Sequence, residues 1–428
     1  MSKKKIGVGL ISVGWMGNLH TRAYQALNHI YPELGVDAQL IIAADTAPDR
    51  AKYAQDVLGY RESTTDYHDV LKHPEVDVVS ICSPNFLHKE MGIAAAQAGK
   101  AFWIEKPVGR GAAETIAVED AVNKAQVETT IGFNYRHPPA VEYAKKIIAN
   151  GDLGEITNVR GSYFADYSAE PNGALSWRFI REFAGSGVLG DLMGHLADQV
   201  QYILGPISEV IGLTKTVIKE RPVLQMGSGT HFDVIEGGEK KPVENEDYGG
   251  MLIRFADNAI AAGAVGTLEA SRVAVGPRAS YNFEIYGTKG SLKWDFERLN
   301  ELELAIGRQG ANVGYQRIMA NPYMGDFGKF QPGSGTSMGY DDLKVVEAKK
   351  FIEAFLGGAK LNSNIHDAVS AAKVVTAAED SANNGQWIKI KTGDCQFFLD
   401  FKFDANYECM ITVYLCAQEC RNASNIPL

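Results

Sequence analysis

The chain has 428 residues, of which 45% are hydrophobic and 22% charged, and 42 Lys and Arg against 52 Asp and Glu give a formal net charge of −10. This composition argues against a disordered chain and predicts a folded globular protein of two or three domains. The acidic balance argues against nucleic acid or an anionic membrane surface as a partner, the five cysteines are too few for a disulfide framework, and no apolar run reaches the roughly 18 residues of a transmembrane helix.

The N-terminus carries a basic stretch, Lys3 to Lys5, followed by apolar residues, a pattern that signal peptides share. Gly7, Gly9 and Gly14 interrupt the apolar stretch, however, and no cleavage site of small residues follows promptly. A first β-strand running into a glycine loop explains the pattern better, so we expect a cytoplasmic protein.

The first 130 residues alternate short apolar runs with helical patterns. Continuous apolar runs are typical of parallel strands buried on both faces, and the helices between them supply the crossovers. The predicted strands are 6–11, 39–44, 76–81, 101–104 and 129–133, and the predicted helices are 16–28, 48–58, 87–98 and 112–125. Residues 1–135 are therefore predicted to form a doubly wound α/β (Rossmann) domain.

Beyond residue 150 the strand-like runs follow one another through turns, as in a mostly antiparallel sheet. Hairpin turn sequences occupy 256–258 and 287–290. The predicted strands are 156–164, 207–216, 251–255, 260–270, 281–286 and 291–296, and the predicted helices are 189–204, 341–356 and 366–383. We assign residues 136–391 to an α+β domain with a large open sheet.

Residues 392–428 form a separate C-terminal extension of unknown role that holds Cys395, Cys409, Cys416 and Cys420. A small zinc site is one interpretation, and an extension packed on the sheet or a poorly ordered tail is the other. The spacing of these cysteines matches no known zinc pattern and no histidine accompanies them, so we predict no metal.

A glycine loop lies between the first predicted strand and the first predicted helix. It reads Ser12-Val13-Gly14-Trp15-Met16-Gly17, a G-x-G-x-x-G pattern whose first glycine is replaced by serine. Gly14 would let the backbone approach a pyrophosphate, and Gly17 would allow the helix to pack closely on the strand. The alternative is a tight turn that binds nothing.

Asp45 ends the second predicted strand, where a carboxylate accepts hydrogen bonds from the adenosine ribose and repels a 2′-phosphate. Arg50 lies nearby and would soften that discrimination. We therefore predict NAD as the cofactor in preference to NADP. Asp45 would alternatively only cap the helix that begins near Pro48.

Two further segments carry chemistry. Glu105-Lys106-Pro107 follows a predicted strand, at the carboxyl edge where open α/β sheets bind ligands. Asp191 and His195 are four residues apart near the start of a predicted helix, which places them on one face. Taken singly, these patterns also fit a solvated loop lysine and a surface ion pair, and Asp191 suits a helix start whatever its chemistry.

Together these segments resemble the Gfo/Idh/MocA oxidoreductase family over about residues 5–391. Four elements carry the resemblance: the Gly14 and Gly17 loop, Ser83-Pro84-Asn85 with His88, Glu105-Lys106-Pro107, and Asp191 with His195. The stretches Gly132-Phe-Asn-Tyr-Arg-His137, Leu175-Ser-Trp-Arg178 and Phe283-Glu-Ile-Tyr-Gly287 are similar to the branch that holds levoglucosan, glycoside and inositol dehydrogenases. Ser12 departs from the family's usual glycine, and residues 392–428 have no counterpart.

The resemblance implies that Lys106, Asp191 and His195 form the catalytic set. The chemistry of these groups agrees with it, because alcohol oxidation needs a base and the ordinary pKa of histidine lies near neutral pH. Lys106 would bind the substrate oxygen and stabilise a developing alkoxide. Asp191 would orient His195 or bind a neighbouring hydroxyl.

Other polar and aromatic residues follow the same strand ends. We expect cofactor contacts from the glycine loop, Asp45 and Arg50, and from Ser83, Pro84, Asn85, His88, Glu105, Lys106, Asn134, Trp177 and Arg178. We expect substrate contacts from the catalytic set and from Tyr135, Arg136, Tyr163, Asp166 and Tyr340. For each softer position the alternative is ordinary packing, a turn or a surface ion pair.

The predicted function is NAD-dependent oxidation of a secondary hydroxyl of a cyclic polyol, sugar or glycoside to a ketone. Two alternatives stay open: an NAD-recycling glycosidase of the same fold, and a nucleotide-sensing regulator without catalysis. The resemblance also implies a homodimer or homotetramer formed through the open sheet, whose exposed edge and face need a cover.

Overall fold

The computed structural model describes residues 3–223, 232–310, 313–360 and 362–391, together with the backbone of two antiparallel strands, Leu399–Phe403 and Cys409–Val413. Of the four cysteines that suggested a zinc site, Cys395, Cys416 and Cys420 lie outside the described residues. Cys409 lies in the second of these strands, of which only the backbone is described. Within the described part of the chain, no helix is long and apolar enough to cross a membrane.

The N-terminal part is a six-stranded parallel sheet with helices between the strands, which confirms the doubly wound prediction. In chain order its elements are β1 (Lys4–Ile11), α1 (Trp15–Ile30), β2 (Val36–Ala44), α2 (Pro48–Asp56), β3 (Glu62–Thr64), α3 (Tyr67–Lys72), β4 (Val78–Ile81), α4 (Asn85–Gln97), β5 (Ala101–Ile104), α5 (Ala112–Ala125) and β6 (Thr129–Ile131). The strand order is β3-β2-β1-β4-β5-β6. The switch point between β1 and β4 therefore opens at the carboxyl ends of these strands, where such folds bind ligands.

The C-terminal part is built on a nine-stranded sheet. Its elements are α6 (Pro139–Ala149), β7 (Ile156–Phe164), α7 (Arg181–Ala184), α8 (Gly194–Leu204), β8 (Ile207–Lys215), β9 (Glu220–Pro222), β10 (Lys240–Pro242), β11 (Tyr248–Phe255), β12 (Val265–Ser271), β13 (Ser280–Gly287), β14 (Gly290–Asp295), β15 (Glu301–Ile306), β16 (Gln316–Met319), α9 (Phe327–Phe330), α10 (Tyr340–Phe355), α11 (Ile365–Asn384) and β17 (Ile388–Lys389). The order is β16-β15-β14-β13-β7-β12-β11-β8-β17, and β9 and β10 pair separately. Only β7 and β12 pair in parallel among the strands of this sheet, so the prediction of a mostly antiparallel sheet is confirmed.

Several elements differ from the sequence prediction, including β3, α3, β15 and β16, which were not predicted. The helix expected over 189–204 begins with a π-helical turn, Leu189–Met193, before α8 continues it. Helix α6 was not predicted, because its start at Pro138 and Pro139 resembles a loop, although proline is well tolerated in a first helical turn.

Helix α10 lies against the N-terminal sheet although it comes late in the chain. Phe351 and Ile352 of α10 share a fully buried cluster with Ile6, Val8 and Trp103. Burying such side chains is the main favourable contribution to folding, at roughly 1.5–3 kcal/mol each. The late helix therefore fixes the two halves of the chain against each other around the cleft between them.

Candidate active site

The glycine loop connects β1 to α1 and keeps its turn despite the serine at its first position. Ser12 has φ +76°, the left-handed region that a glycine adopts without strain. A Cβ on Gly17 would lie 2.3 Å from the Ser12 carbonyl oxygen, so this position needs glycine for helix–loop packing. A Cβ on Gly14 would meet nothing within 4 Å. Packing within the protein therefore does not explain Gly14, and its open side is a cradle that a phosphate would fill.

Asp45 is tied to this loop through both carboxylate oxygens. Oδ2 accepts from the Val13 N–H at 2.8 Å, and Oδ1 accepts from the Ala47 N–H at 2.9 Å, just before α2. Asp45 thus both caps the start of α2 and contacts the glycine loop. Each of its carboxylate oxygens keeps a lone pair for a ribose hydroxyl. Arg50 lies exposed on α2 and is not among the residues that line the groove beside Asp45.

That groove has a volume of about 290 Å³ and runs along the carboxyl edge of the parallel sheet. Its walls combine predicted residues with a segment that the sequence did not single out, and they include Ser12, Asp45, Thr65, Asp66, Tyr67, Ser83, Pro84 and Leu87. Ser83 Oγ and Asn134 Nδ2 are buried without a hydrogen-bond partner among the described residues. Orphaned polar atoms of this kind call for a ligand or water. The residues present therefore fit a dinucleotide.

His88 does not face this groove as a free ring. Its Nδ1 lies 2.7 Å from the Pro107 carbonyl oxygen and its Nε2 lies 2.6 Å from the Ser83 carbonyl oxygen. The imidazole thus connects the loop after β4 to the loop after β5. His88 fixes the relative position of Ser83 and Lys106, and Asn85 begins helix α4 beside them.

Lys106 and Asp191 meet across the cleft. The Lys106 ammonium donates to the Asp191 backbone oxygen at 2.8 Å and to its Oδ1 at 3.1 Å. Tyr167 donates to Asp191 Oδ2 at 2.6 Å, and the Arg178 guanidinium lies 3.8 Å from the same oxygen. Asp191 stands in the π-helical turn, a distortion that is frequent at functional sites. Its carboxylate is thus bonded to Lys106 and Tyr167.

The charges around Asp191 keep it ionised. Burial alone would raise its pKa, but the Lys106 and Arg178 charges and the Tyr167 hydrogen bond hold the pKa well below its usual range. The carboxylate therefore stays a hydrogen-bond acceptor at every pH at which the protein would be assayed.

His195 lies on α8, buried among aromatic rings. Its ring centroid is 4.6 Å from that of Tyr135, and Tyr163 and Tyr281 follow at 6.2 and 6.3 Å. Burial lowers the pKa of His195 well below its ordinary value, and the Lys106 charge lowers it further. The imidazole is therefore neutral at neutral pH, which is the form that accepts a proton.

Further aromatic side chains pack near the predicted site residues. The Tyr135 and Tyr163 hydroxyls lie 2.9 Å apart. Tyr340, at the start of α10, stacks on Trp15 of the glycine loop with centroids 5.7 Å apart. Trp177 packs edge-on against Phe86 at 5.9 Å, and the Arg178 guanidinium lies over its ring. Several predicted contacts therefore come together here from both halves of the chain.

Three predicted contact residues have charged partners within the protein. The Arg136 guanidinium is held in a buried pair with Asp198 and lies 3.2 Å from Asp367. Asp166 pairs with the exposed Arg278. The Glu105 carboxylate accepts from Lys344 at 2.6 Å and contacts His20 at 2.9 Å. Their contacts with substrate or cofactor stay predictions.

The sequence analysis missed Tyr167, His20 and Lys344. Tyr167 stands in a loop without a recognisable motif, and its role is visible only through Asp191. Lys344 lies 239 residues from Glu105 in the chain, and local spacing carries no signal for such a pair. A lysine in an otherwise buried stripe of a helix is the one local sign of it, since unpaired lysines are almost never buried.

Two family models match this chain. One, described as the oxidoreductase family with an NAD-binding Rossmann fold, matches residues 6–133, and the other, described as the GFO/IDH/MocA C-terminal domain, matches residues 141–293. The chain belongs to the Gfo/Idh/MocA oxidoreductase family, as its motifs indicated. It is an NAD-dependent oxidoreductase.

Individual relatives match this chain over nearly its whole length. The chain is 37% identical over 391 residues to the levoglucosan dehydrogenase of Pseudarthrobacter phenanthrenivorans, covering 90% of this chain and 98% of that protein. It is 24% identical over 386 residues to the inositol 2-dehydrogenase of Rhizobium meliloti, covering 89% and 98%. A solved levoglucosan dehydrogenase in complex with NADH and levoglucosan has a TM-score of 0.83 at 35% identity, covering 91% of this chain and 100% of that chain.

Proposed function

We propose that this protein oxidises a secondary hydroxyl of a cyclic polyol, pyranose or glycoside to a ketone, with Lys106, Asp191 and His195 as its catalytic residues. The observation that carries this proposal is the Lys106–Asp191 contact, with the buried His195 one helical turn after Asp191. His88 connects the loop of Lys106 to Ser83, which lines the groove beside Asp45. The relatives that are named for levoglucosan and inositol support the same substrate class.

Each group has one task in this reaction. Lys106 donates a hydrogen bond to the substrate oxygen and stabilises the charge that grows there. His195 accepts the hydroxyl proton, because burial leaves its imidazole neutral. Asp191 accepts a hydrogen bond from the Lys106 amine and holds it in place. The glycine loop and Asp45 would hold NAD, which would supply the acceptor for the hydride of the same carbon.

The remaining wall favours a ring-shaped substrate. Tyr135, Tyr163 and Tyr340 present aromatic faces beside His195, and pyranose rings offer the matching apolar C–H face. Tyr167 and Arg178 stand at Asp191 and would bind neighbouring hydroxyls.

We also propose that the protein is a homodimer or homotetramer assembled through the outer face of the nine-stranded sheet. Leu213, Leu252 and Val265 point to that face from β8, β11 and β12 and are 49–59% exposed. Apolar side chains on one open sheet face favour a cover by a second copy. Light scattering at micromolar concentration tests this, and a monomer contradicts it.

The cytoplasmic location and the domain boundaries at 135 and 391 stay predictions.

The test of the reaction is NADH formation by the purified protein with NAD⁺ and a panel of levoglucosan, inositols, free pyranoses and aryl glycosides. We expect net NADH with some members, formed about 10²- to 10⁴-fold more slowly by the His195→Ala variant. Release of the aglycone without net NADH would favour the NAD-recycling glycosidase. NADH binding with no turnover of any kind would favour the regulator.

A further inference from the structure

A cluster of buried charges lies directly behind the catalytic lysine. The Lys344 ammonium, on α10, donates to Glu105 Oε1 at 2.6 Å and to Glu347 Oε2 at 2.8 Å. His20, on α1, lies 2.9 Å from the same Glu105 oxygen through Nε2 and 3.0 Å from Ser80 Oγ through Nδ1. Lys344 and His20 have no side-chain exposure, and Glu105 has 10%. Three elements, α1, α10 and the end of β5, therefore meet at one carboxylate.

The Glu105 carboxylate depends on Lys344 for its charge. Burial by itself would raise the pKa of Glu105, and the Lys344 ammonium and the His20 contact hold it below its usual range. A buried carboxylate that loses its only cation has to take up a proton or move toward water. Lys344 is the group that keeps Glu105 ionised and in place.

Glu105 is also restrained from the side of β6. A Cβ added to Gly132 would lie 2.5 Å from both of its carboxylate oxygens, so the carboxyl group packs directly on that backbone. The neighbouring residue in the chain is Lys106, whose amine reaches Asp191. Glu105 and Lys106 share a peptide bond, so a displacement of the Glu105 backbone would move the backbone that carries the Lys106 amine.

Lys344 is in addition four residues after Tyr340, one turn along the same face of α10. Tyr340 stacks on Trp15 and contributes to the aromatic wall of the cleft. Lys344 thus contacts the residue next to Lys106 and lies one helical turn after Tyr340, a ring that would contact the sugar.

We propose that Lys344 is a positioning residue for catalysis, which fixes Glu105 and thereby holds the Lys106 amine against Asp191. This inference rests on the proposed function, because it assigns Lys106 its catalytic place. Lys344 itself does not reach the cleft.

The same helix offers a matched control. Lys350 of α10 is also buried and donates to Glu142 Oε1 at 2.7 Å, while its amine lies 3.1 Å from His137 Nδ1. Lys344→Met removes the ammonium that pairs with Glu105 and Glu347, and Lys350→Met removes the one that pairs with Glu142, but only Lys344 contacts the residue next to Lys106. A loss of activity that came only from removing a buried ammonium of α10 would appear in both variants.

The experiment measures kcat, KM and NADH affinity for the two variants, together with acylation of Lys106 by limiting acetic anhydride, read by peptide mass spectrometry against the exposed Lys52. We expect Lys344→Met to lower kcat about 10- to 100-fold, since misplacing a catalytic group by about 1 Å has effects of this order. Lys106 acylation should rise in this variant and NADH affinity should stay near that of the wild type. Lys350→Met should keep wild-type kcat and Lys106 acylation.

Equal kcat for wild type and Lys344→Met, or equal losses in both variants, would overturn the proposal. If Lys344→Met does not fold, Glu105→Gln takes its place, because the amide keeps the shape and removes the charge that Lys344 holds. Unchanged kcat and unchanged Lys106 acylation in Glu105→Gln would equally overturn it. Should the wild type oxidise no sugar at all, the proposed function fails, while the acylation comparison still decides whether Lys344 positions Lys106.

Discussion

The two glycines of the glycine loop differ in the space that they leave for a Cβ atom. Gly14 has φ −91° and ψ −164°, a conformation that alanine adopts freely, and a Cβ there meets nothing within 4 Å. Gly14→Ala should therefore leave the free energy of unfolding of the apoprotein, measured by urea denaturation, unchanged within about 0.5 kcal/mol. If the cofactor phosphates occupy the open side of Gly14, the methyl group displaces them from the loop N–H groups.

The size of that loss follows from the hydrogen bonds at stake. A hydrogen bond to a charged group contributes about 1.5–3 kcal/mol, so losing one weakens NADH binding about ten- to a hundredfold. Titration of NADH fluorescence with the variant and the wild type measures it. Wild-type affinity in Gly14→Ala would refute the assignment of the pyrophosphate to this loop.

Gly17→Ala is the matched comparison. Its Cβ would lie 2.3 Å from the Ser12 carbonyl oxygen, whereas carbon–oxygen contacts normally begin near about 3.3 Å, so the start of α1 has to move by about 1 Å. This variant should lose about 1–3 kcal/mol of stability through overpacking, as well as NADH affinity. A stable Gly17→Ala apoprotein would contradict the packing account.

Three other predictions concern the chemistry. His195→Ala should lower kcat by about 10²–10⁴, the usual contribution of a general base, with NADH affinity unchanged; near-wild-type turnover would reject the assignment. Because burial and then Lys106 lower the pKa of His195, its neutral form persists below the ordinary value, and the acid limb of kcat/KM should lie below pH 6.5; a limb at or above 6.5 would contradict this. Asp45→Asn should raise the NADP⁺ to NAD⁺ ratio of kcat/KM about tenfold, as removal of about 1.4 kcal/mol of repulsion predicts; an unchanged ratio would remove Asp45 from cofactor choice.

The parallel domain was predictable because its strands are buried on both faces. Such strands have continuous apolar sequences. The predicted run 6–11 falls within β1, and the predicted run 101–104 coincides with β5. The outer strands of the large sheet were harder to predict: β15, which lies beside the edge strand β16, places Glu301 and Glu303 among apolar residues, so its sequence has no continuous apolar run.

The site could be predicted only where a residue follows a strand end or repeats a motif. Lys106, Asp191 and the glycine loop meet those conditions. Arg136 also follows a strand, but its partner Asp198 is 62 residues away, and no local pattern reveals that the guanidinium is already paired. Lys344 and Tyr167 are found only once the fold brings distant segments together, which is a property of tertiary packing and not of spacing.

The most direct test of the account follows the hydride itself. A substrate from the active part of the sugar panel, deuterated at the carbon that is oxidised, is incubated with NAD⁺ and the protein, and the NADH is examined by mass spectrometry. Direct hydride transfer predicts one deuterium in the NADH and a ketone at the labelled carbon, in equal amounts. Unlabelled NADH, or consumption of the sugar without net NADH, would contradict it.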